Sequence, residues 1–213
     1  MNKLTIILLS LLLPLGFIYG SSSNSAAINS SEKEFFQTLA NHSKSVSTVS
    51  GSFVQKKYIT ILNDSVESRG LFYYKRSGNM RFDYTTPKEM SIVITPFKLY
   101  ILSAGKTNTF SLESQKGLSD LAAVMEACIG GDIKSIPPGY RVSYSLRDKK
   151  HRVEIIPDGK NTQSPYIRIE MVINTLDFSL EQLTLWERSK DFTIYRFSGA
   201  TINTAVSPLM FQL

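Results

Sequence analysis

The 213-residue sequence holds one cysteine, one tryptophan and two histidines. A single thiol, Cys128, excludes an intrachain disulfide and any cysteine-rich metal cage, so the fold must be held by its core. Two histidines and one thiol make no zinc ligand set, and no cofactor is implied. No glycine-rich phosphate loop is present: Gly130-Gly131 follows a helical pattern, where a phosphate loop would precede one. No block of five like charges occurs, and after the first twenty residues no apolar window approaches the ~20 residues of a membrane-spanning helix.

Catalytic groups are correspondingly sparse. General acid/base or nucleophilic chemistry needs a base beside a nucleophile. His42 falls on the polar side of a helical pattern, and His151 follows Asp148-Lys149-Lys150 in an evident turn, so both read as surface histidines. Asp83, Glu113, Glu154, Glu170 and Asp177 are numerous enough for a glycosidase-like carboxylate pair, but no spacing singles out two of them. The reading is that the chain is not an enzyme, with an exported hydrolase as the remaining catalytic alternative. Basic and aromatic residues interleave from Tyr73 to Phe82, but export removes the chain from nucleic acid.

What is present begins with a targeting segment. Met1 to Gly20 has a basic Lys3, an apolar stretch from Leu4 to Leu13, a Pro14 break and a small residue at Gly20, which together read as a cleaved signal peptide. A bacterial lipoprotein needs a cysteine directly after cleavage, and Ser21, Ser22 and Ser23 stand there instead. Removal leaves 213 − 20 = 193 residues with 23 basic and 18 acidic side chains, a net +5. That mild excess fits an anionic membrane surface, an acidic partner or simply a solvated surface. A chain of this length forms one domain that buries roughly 70% of its unfolded surface.

Residues 21–31 are serine-rich and read as a flexible leader, followed by a single domain over 32–213. Ser31 to Glu34 forms a capping box. Phe35, Phe36, Leu39, Ala40 and Val46 make an apolar stripe, giving a helix from 32 to about 46. From Ser52 the period changes to two, with strands expected at 52–61, 70–76, 80–84, 90–95 and 98–102. Apolar residues on both faces of Leu71–Tyr74 and Ile92–Ile94 indicate an outer face covered as well, by helices. A second one-sided helix spans 117–131 through Leu121, Val124, Met125, Cys128 and Ile129, capped by Ser119 or Asp120 and ended by Gly130-Gly131. Strands resume at 140–147, 151–156, 166–173, 180–188, 192–199 and 208–213. About ten antiparallel strands and two or more helices make a mainly β fold, a barrel or half-barrel with helices across its mouth, whose interior either fills with side chains or holds a ligand.

Ser52-Phe53-Val54-Gln55 and the run Gly70-Leu71-Phe72-Tyr73-Tyr74-Lys75-Arg76-Ser77-Gly78-Asn79-Met80-Arg81-Phe82-Asp83-Tyr84, closing on Pro87, resemble the periplasmic outer-membrane lipoprotein carrier family, LolA. Residues 197–211, with Asn203 among them, are similar to the family's closing strands. Ser77 stands where the family has proline. The resemblance implies an unclosed antiparallel barrel under a helical lid, and a periplasmic, monomeric carrier. Its partners would be lipoprotein acyl chains or another lipid, an inner-membrane exporter and an outer-membrane acceptor. Phe53, Leu71, Tyr73, Met80, Phe82, Tyr84, Ile92 and Ile94 are then candidates for the cavity wall, each also a candidate for plain core packing. Phe36, Leu39, Leu121, Val124, Met125 and Ile129 become the lid's apolar face. Arg76 matches the family arginine that holds the lid closed through backbone carbonyls, the alternative being a solvent-facing arginine beside a turn. A lipid-sensing regulatory protein on the same fold is the second reading.

Overall fold

The computed structural model describes residues 25–158 and 164–212; the expected signal peptide lies outside them. Two helices, α1 (Ser25–Ser45) and α2 (Lys116–Gly130), accompany eleven strands. The first six are β1 (Thr48–Ile59), β2 (Asp64–Lys75), β3 (Asn79–Thr86), β4 (Met90–Ile94), β5 (Lys98–Ser103) and β6 (Lys106–Ser111). The other five are β7 (Tyr140–Arg147), β8 (Lys150–Pro157), β9 (Tyr166–Ile173), β10 (Leu180–Glu187) and β11 (Phe192–Ile202). All belong to one antiparallel sheet in the order β6-β5-β4-β3-β2-β1-β11-β10-β9-β8-β7. Two meanders are thus joined where β1 pairs with β11, and β6 and β7 remain as free edges, so the half-barrel is unclosed.

Alternation along the strands gives the sheet one continuous apolar face. Phe53, Phe72, Met80, Phe82, Ile155, Ile169, Met171 and Leu183 point to it and are almost wholly buried, and both helices pack against the same cluster through Phe35, Leu39, Val124, Met125 and Cys128. Opposing residues such as Phe72 and Phe82, or Val153 and Met171, pair directly across strands. Those cross-strand contacts are the unit of stabilisation in such a sheet. Gly51 marks a bulge in β1, where a Cβ would lie 2.8 Å from the Phe72 ring.

Five expectations about the fold need correction. Helix α1 begins at Ser25, so residues 25–31 are helical rather than a leader and the Ser31–Glu34 box lies inside the helix. Alanines have the highest helix propensity, and extending a helix that is already packed adds one hydrogen bond per residue fixed. Helix α2 likewise starts before Ser119 and Asp120, with Gln115 at its N-cap position and no side-chain cap bond there. Its other end follows expectation: Gly131 has φ 74°, the left-handed conformation glycine adopts without penalty.

The third is the expected strand list, which omitted β6. Lys-Thr-Asn-Thr-Phe-Ser carries one large apolar residue, because an edge strand needs little else to pair on one side. The fourth is the expected strand at 208–213. Pro208–Phe211 is a 3₁₀ turn, with the Ser207 hydroxyl accepting from the Leu209 amide. Strand β11 already has β1 and β10 on its two sides, so no edge is vacant beside it for a further strand. The tail lies instead against the outer face of β3, where the Arg81 guanidinium donates to the Met210 carbonyl at 2.8 Å. Phe211 is buried there, as is Val93, which pairs with Arg81. Of the outer-face cover expected at Leu71–Tyr74 and Ile92–Ile94, the buried Val93 of the second run lies by this C-terminal turn rather than an α-helix, while Leu71 of the first is 44% exposed.

Candidate functional site: a lidded apolar trough

The two helices lie over the concave face and leave a cavity of about 40 Å³ beneath them. Leu39 and Val46 of α1, Cys128 and Ile129 of α2, and Phe72 and Phe197 of the sheet are among its walls. At ~10–15 Å³ for each water, a few small molecules would fill it. An alkyl chain needs the helices to move. Burial pushes the Cys128 thiol well above the usual range, which leaves it an inert lining group.

Six of the eight candidate wall residues share this face. Phe53, Met80, Phe82, Tyr84 and Ile94 are buried in its core, and Ile92 is partly accessible beside them. Leu71 and Tyr73 do not. Strand β2 turns Gly70, Phe72 and Tyr74 inward, so the residues between them point outward, and Leu71 is 44% exposed. A run apolar on both sides carries no periodic signal for its inner face, whereas register does: Phe72 faces Phe82, and Leu71 faces Asp83. Among the candidate lid residues Leu39, Val124 and Met125 are buried against the sheet, while Phe36, Leu121 and Ile129 pack against the cluster with part of their surface accessible.

Arg76, at the end of β2, reaches the C-terminus of α1. Its Nε donates to the Val46 carbonyl at 2.9 Å, and its Nη2 donates to the carbonyls of Val46 and Ser43. Asn203 completes the set, donating from Nδ2 to Ser45 O at 2.8 Å and accepting from the Ser47 amide at 2.7 Å. These are carbonyls that a helix end leaves without intrahelical partners, and a cation there also opposes the helix dipole. Beyond the lid, the far end of the trough is polar. Tyr84 Oη donates to Gln55 Oε1 at 2.6 Å and lies 3.5 Å from the Tyr195 hydroxyl. Burial raises the pKa of Tyr84, Tyr166 and Tyr195, so all three stay protonated as donors at neutral pH.

The histidines are not surface residues in the sense expected. The turn is Asp148-Lys149, both at positive φ, so His151 is the second residue of β8 and faces inward. Its ring lies 4.6 Å from Phe35 and 5.6 Å from Phe178, with Nδ1 3.0 Å from the Tyr144 hydroxyl. His42 approaches Phe178 from α1 at 5.6 Å. This aromatic seam holds α1 over β7 and β8, and Glu32 accepts from the Tyr144 amide at 3.0 Å on the free edge of β7. Desolvation lowers the His151 pKa below 6.5. Its unfolded value is higher, so the stability this neutral ring contributes is complete above about pH 6.5 and is lost as pH falls from there through the folded value. Melting temperatures taken from about pH 7 to pH 5 should therefore fall more steeply for the parent than for His151→Phe. Parallel curves would exclude His151 as the source.

The carboxylates form no free pair. Glu154 and Glu170 are opposed across β8 and β9, but Arg152 donates to Glu170 at 3.1 Å and Arg168 bridges both carboxylates. Asp83 accepts from Arg81 and Ser91 on the outer face. Asp177 accepts from Ser179 in a loop. Among the described residues no helix is long and apolar enough to cross a membrane.

An unclosed antiparallel half-barrel, apolar on its concave side and roofed by two helices, is a mainly β fold whose interior either fills with side chains or holds an apolar ligand. This chain belongs to the family described as outer membrane lipoprotein carrier protein LolA, whose family model matches residues 44–213. No curated protein sequence matches it. Solved structures to which the chain is similar include a LolA superfamily protein from Nitrosomonas europaea, 10% identical, covering 82% of this chain and 96% of that one with a TM-score of 0.43. Lipoprotein LppX from Mycobacterium tuberculosis is 10% identical, covering 86% and 98% at 0.40. A chain of the Pseudomonas aeruginosa MucA/MucB complex is 10% identical, covering 84% and 60% at 0.42.

Proposed function

We propose that this protein is a periplasmic carrier of acyl chains, those of lipoproteins or of a related lipid, moving them between an inner-membrane exporter and an outer-membrane acceptor. The observation that carries this reading is the continuous apolar concave face under a lid anchored by side-chain bonds from Arg76 and Asn203. Each methylene removed from water is worth about 0.8 kcal/mol, so an acyl chain crosses an aqueous compartment only inside such a face. Family membership supports the same reading. The chemistry required is burial and release alone, and the arginine-bridged carboxylates suit no acid/base role.

The test is to purify the protein from the periplasm and extract it for mass spectrometry of bound acyl species. Acyl lipid or lipidated protein at near one per chain is expected. Repeated recovery of protein free of acyl species would sink the carrier reading. The face assignment makes a sharper expectation. Ile92→Asp places a charge in the trough and should reduce bound lipid by about tenfold or more, whereas Leu71→Asp, on the outer face, should leave it unchanged. Equal losses in both variants would contradict the assignment.

A further inference from the structure

We propose that Glu126 is a second latch, holding α2 to the β2–β3 turn as Arg76 of the same hairpin holds α1, so that one hairpin tip governs both halves of the lid. The inference deepens the carrier reading and rests on it. Among the described residues every hydrogen bond from the Arg76 guanidinium goes to the end of α1, so α2 needs an anchor of its own. Two residues further on, the Gly78 amide donates to Glu126 Oε1 at 2.7 Å.

The turn is shaped for that bond. Lys75 pairs with Asn79, and between them Ser77 and Gly78 both adopt positive φ, 77° and 81°. The Gly78 amide is thereby taken out of the strand ladder and left to a partner outside it. Gly78 also fits closely, since a Cβ there would lie 3.3 Å from Pro96 and 3.5 Å from Glu126 Oε2. A carboxylate accepting from a backbone amide makes a charge-assisted bond, stronger than its neutral counterpart.

A second contact lies on the same stripe of α2. Gly130 follows Glu126 by four residues, one helical turn, and a Cβ there would come within 2.5 Å of the Tyr74 hydroxyl. The absence of a side chain at Gly130 lets the end of α2 settle on Tyr74, whose phenol burial and the nearby Glu126 carboxylate push up to about 12. Tyr74, Arg76 and Gly78 are thus three alternate positions at one strand end, meeting α2, α1 and α2 again.

Beside the Gly78–Glu126 bond lies a cleft of about 240 Å³ between α2 and the tips of two hairpins. Ala122 and Ala123 form its helical wall, Pro96 its opposite lip, and Met80 and Ile94 lead from it to the concave face. Breaking the latch would free α2 to lift from this cleft, whose buried floor residues Met80 and Ile94 belong to the concave face, and so open a route for an alkyl chain.

Cys128, the only thiol of the chain, sits buried on α2 two residues from Glu126 and reports on that helix directly. Its rate of reaction with a soluble aromatic disulfide, in lipid-free protein, reads how often α2 lifts. Glu126→Ala is expected to speed labelling about tenfold or more, with Glu126→Gln, which keeps an oxygen acceptor without the charge, in between. Glu89→Ala, an exposed control, should leave the rate unchanged. Urea midpoints are measured alongside. A Glu126→Ala rate equal to the parent's, or an acceleration that only follows a lowered midpoint, would overturn the latch. Because no lipid is present, a latch that passes this test while the purified protein proves acyl-free would leave the latch standing and remove the carrier reading alone.

Discussion

Replacing Gly70 by alanine is expected to lower the melting temperature by roughly 6–12 °C, a loss of about 3 kcal/mol, and is the most damaging single methyl addition in the sheet. Gly70 sits in β2 at a register shift against β3, where an added Cβ would lie 2.0 Å from the Asp83 carbonyl oxygen and 3.0 Å from the Phe53 ring. The first of these is backbone and has no rotamer to yield. The second is a wholly buried ring that packs edge-on against Phe82 and Tyr84 at 5.6 and 5.0 Å. Relief means moving strands apart at the centre of the concave face. Gly105→Ala provides the comparison: nothing lies within 4 Å of its Cβ position and only its φ of 72° is unfavourable, so its cost should be about 1 kcal/mol. Thermal scans of both variants check the difference, and similar losses would refute the packing argument.

Arg76→Leu should shift the balance of the lid toward open by about 2–3 kcal/mol, or roughly 30- to 150-fold. Leucine fills similar space but leaves the Val46 and Ser43 carbonyls without their charged donor, at a helix end where the dipole also favours a cation. Two consequences are expected together: stronger binding of an apolar fluorescent dye, and more lipid retained through purification because closing no longer helps expel it. Arg76→Lys should recover part of the effect, since an ammonium is a point charge without the planar fork that addresses two carbonyls. Unchanged dye binding and unchanged lipid retention in Arg76→Leu would remove this residue from the mechanism. With Glu126, the pair predicts a double variant whose two helices move independently of the hairpin.

Much of the architecture was legible because its signals are local. Strict alternation in Tyr140–Arg147 identifies a strand whose inner residues, Tyr140, Val142 and Tyr144, pack against the core cluster. The i, i+3, i+4, i+7 spacing from Leu121 to Cys128 marked the buried side of α2, and Gly131 its end. Arg76 was recognisable by resemblance. The failures have equally local causes. Leu71 to Tyr74 is apolar on both faces, so composition left the inward parity of β2 open, and only pairing with β3 placed Phe72 and Tyr74 inside. His151 looked like a turn residue because a two-residue turn and a longer one read alike in Asp148-Lys149-Lys150.

By itself, then, the sequence determined most of the strands, the presence of both helices and the apolar character of one face. Each follows from residues a few positions apart, where periodicity and turn chemistry act. The tertiary structure decided which side of β2 looks inward and that the C-terminal turn, not a helix, covers the outer face of β3. It also brought the Gly78 amide to Glu126 and Asn203 to the end of α1. Those contacts join residues 48 and 158 positions apart, and nothing in either local pattern encodes a partner that only the curvature of the sheet brings within reach.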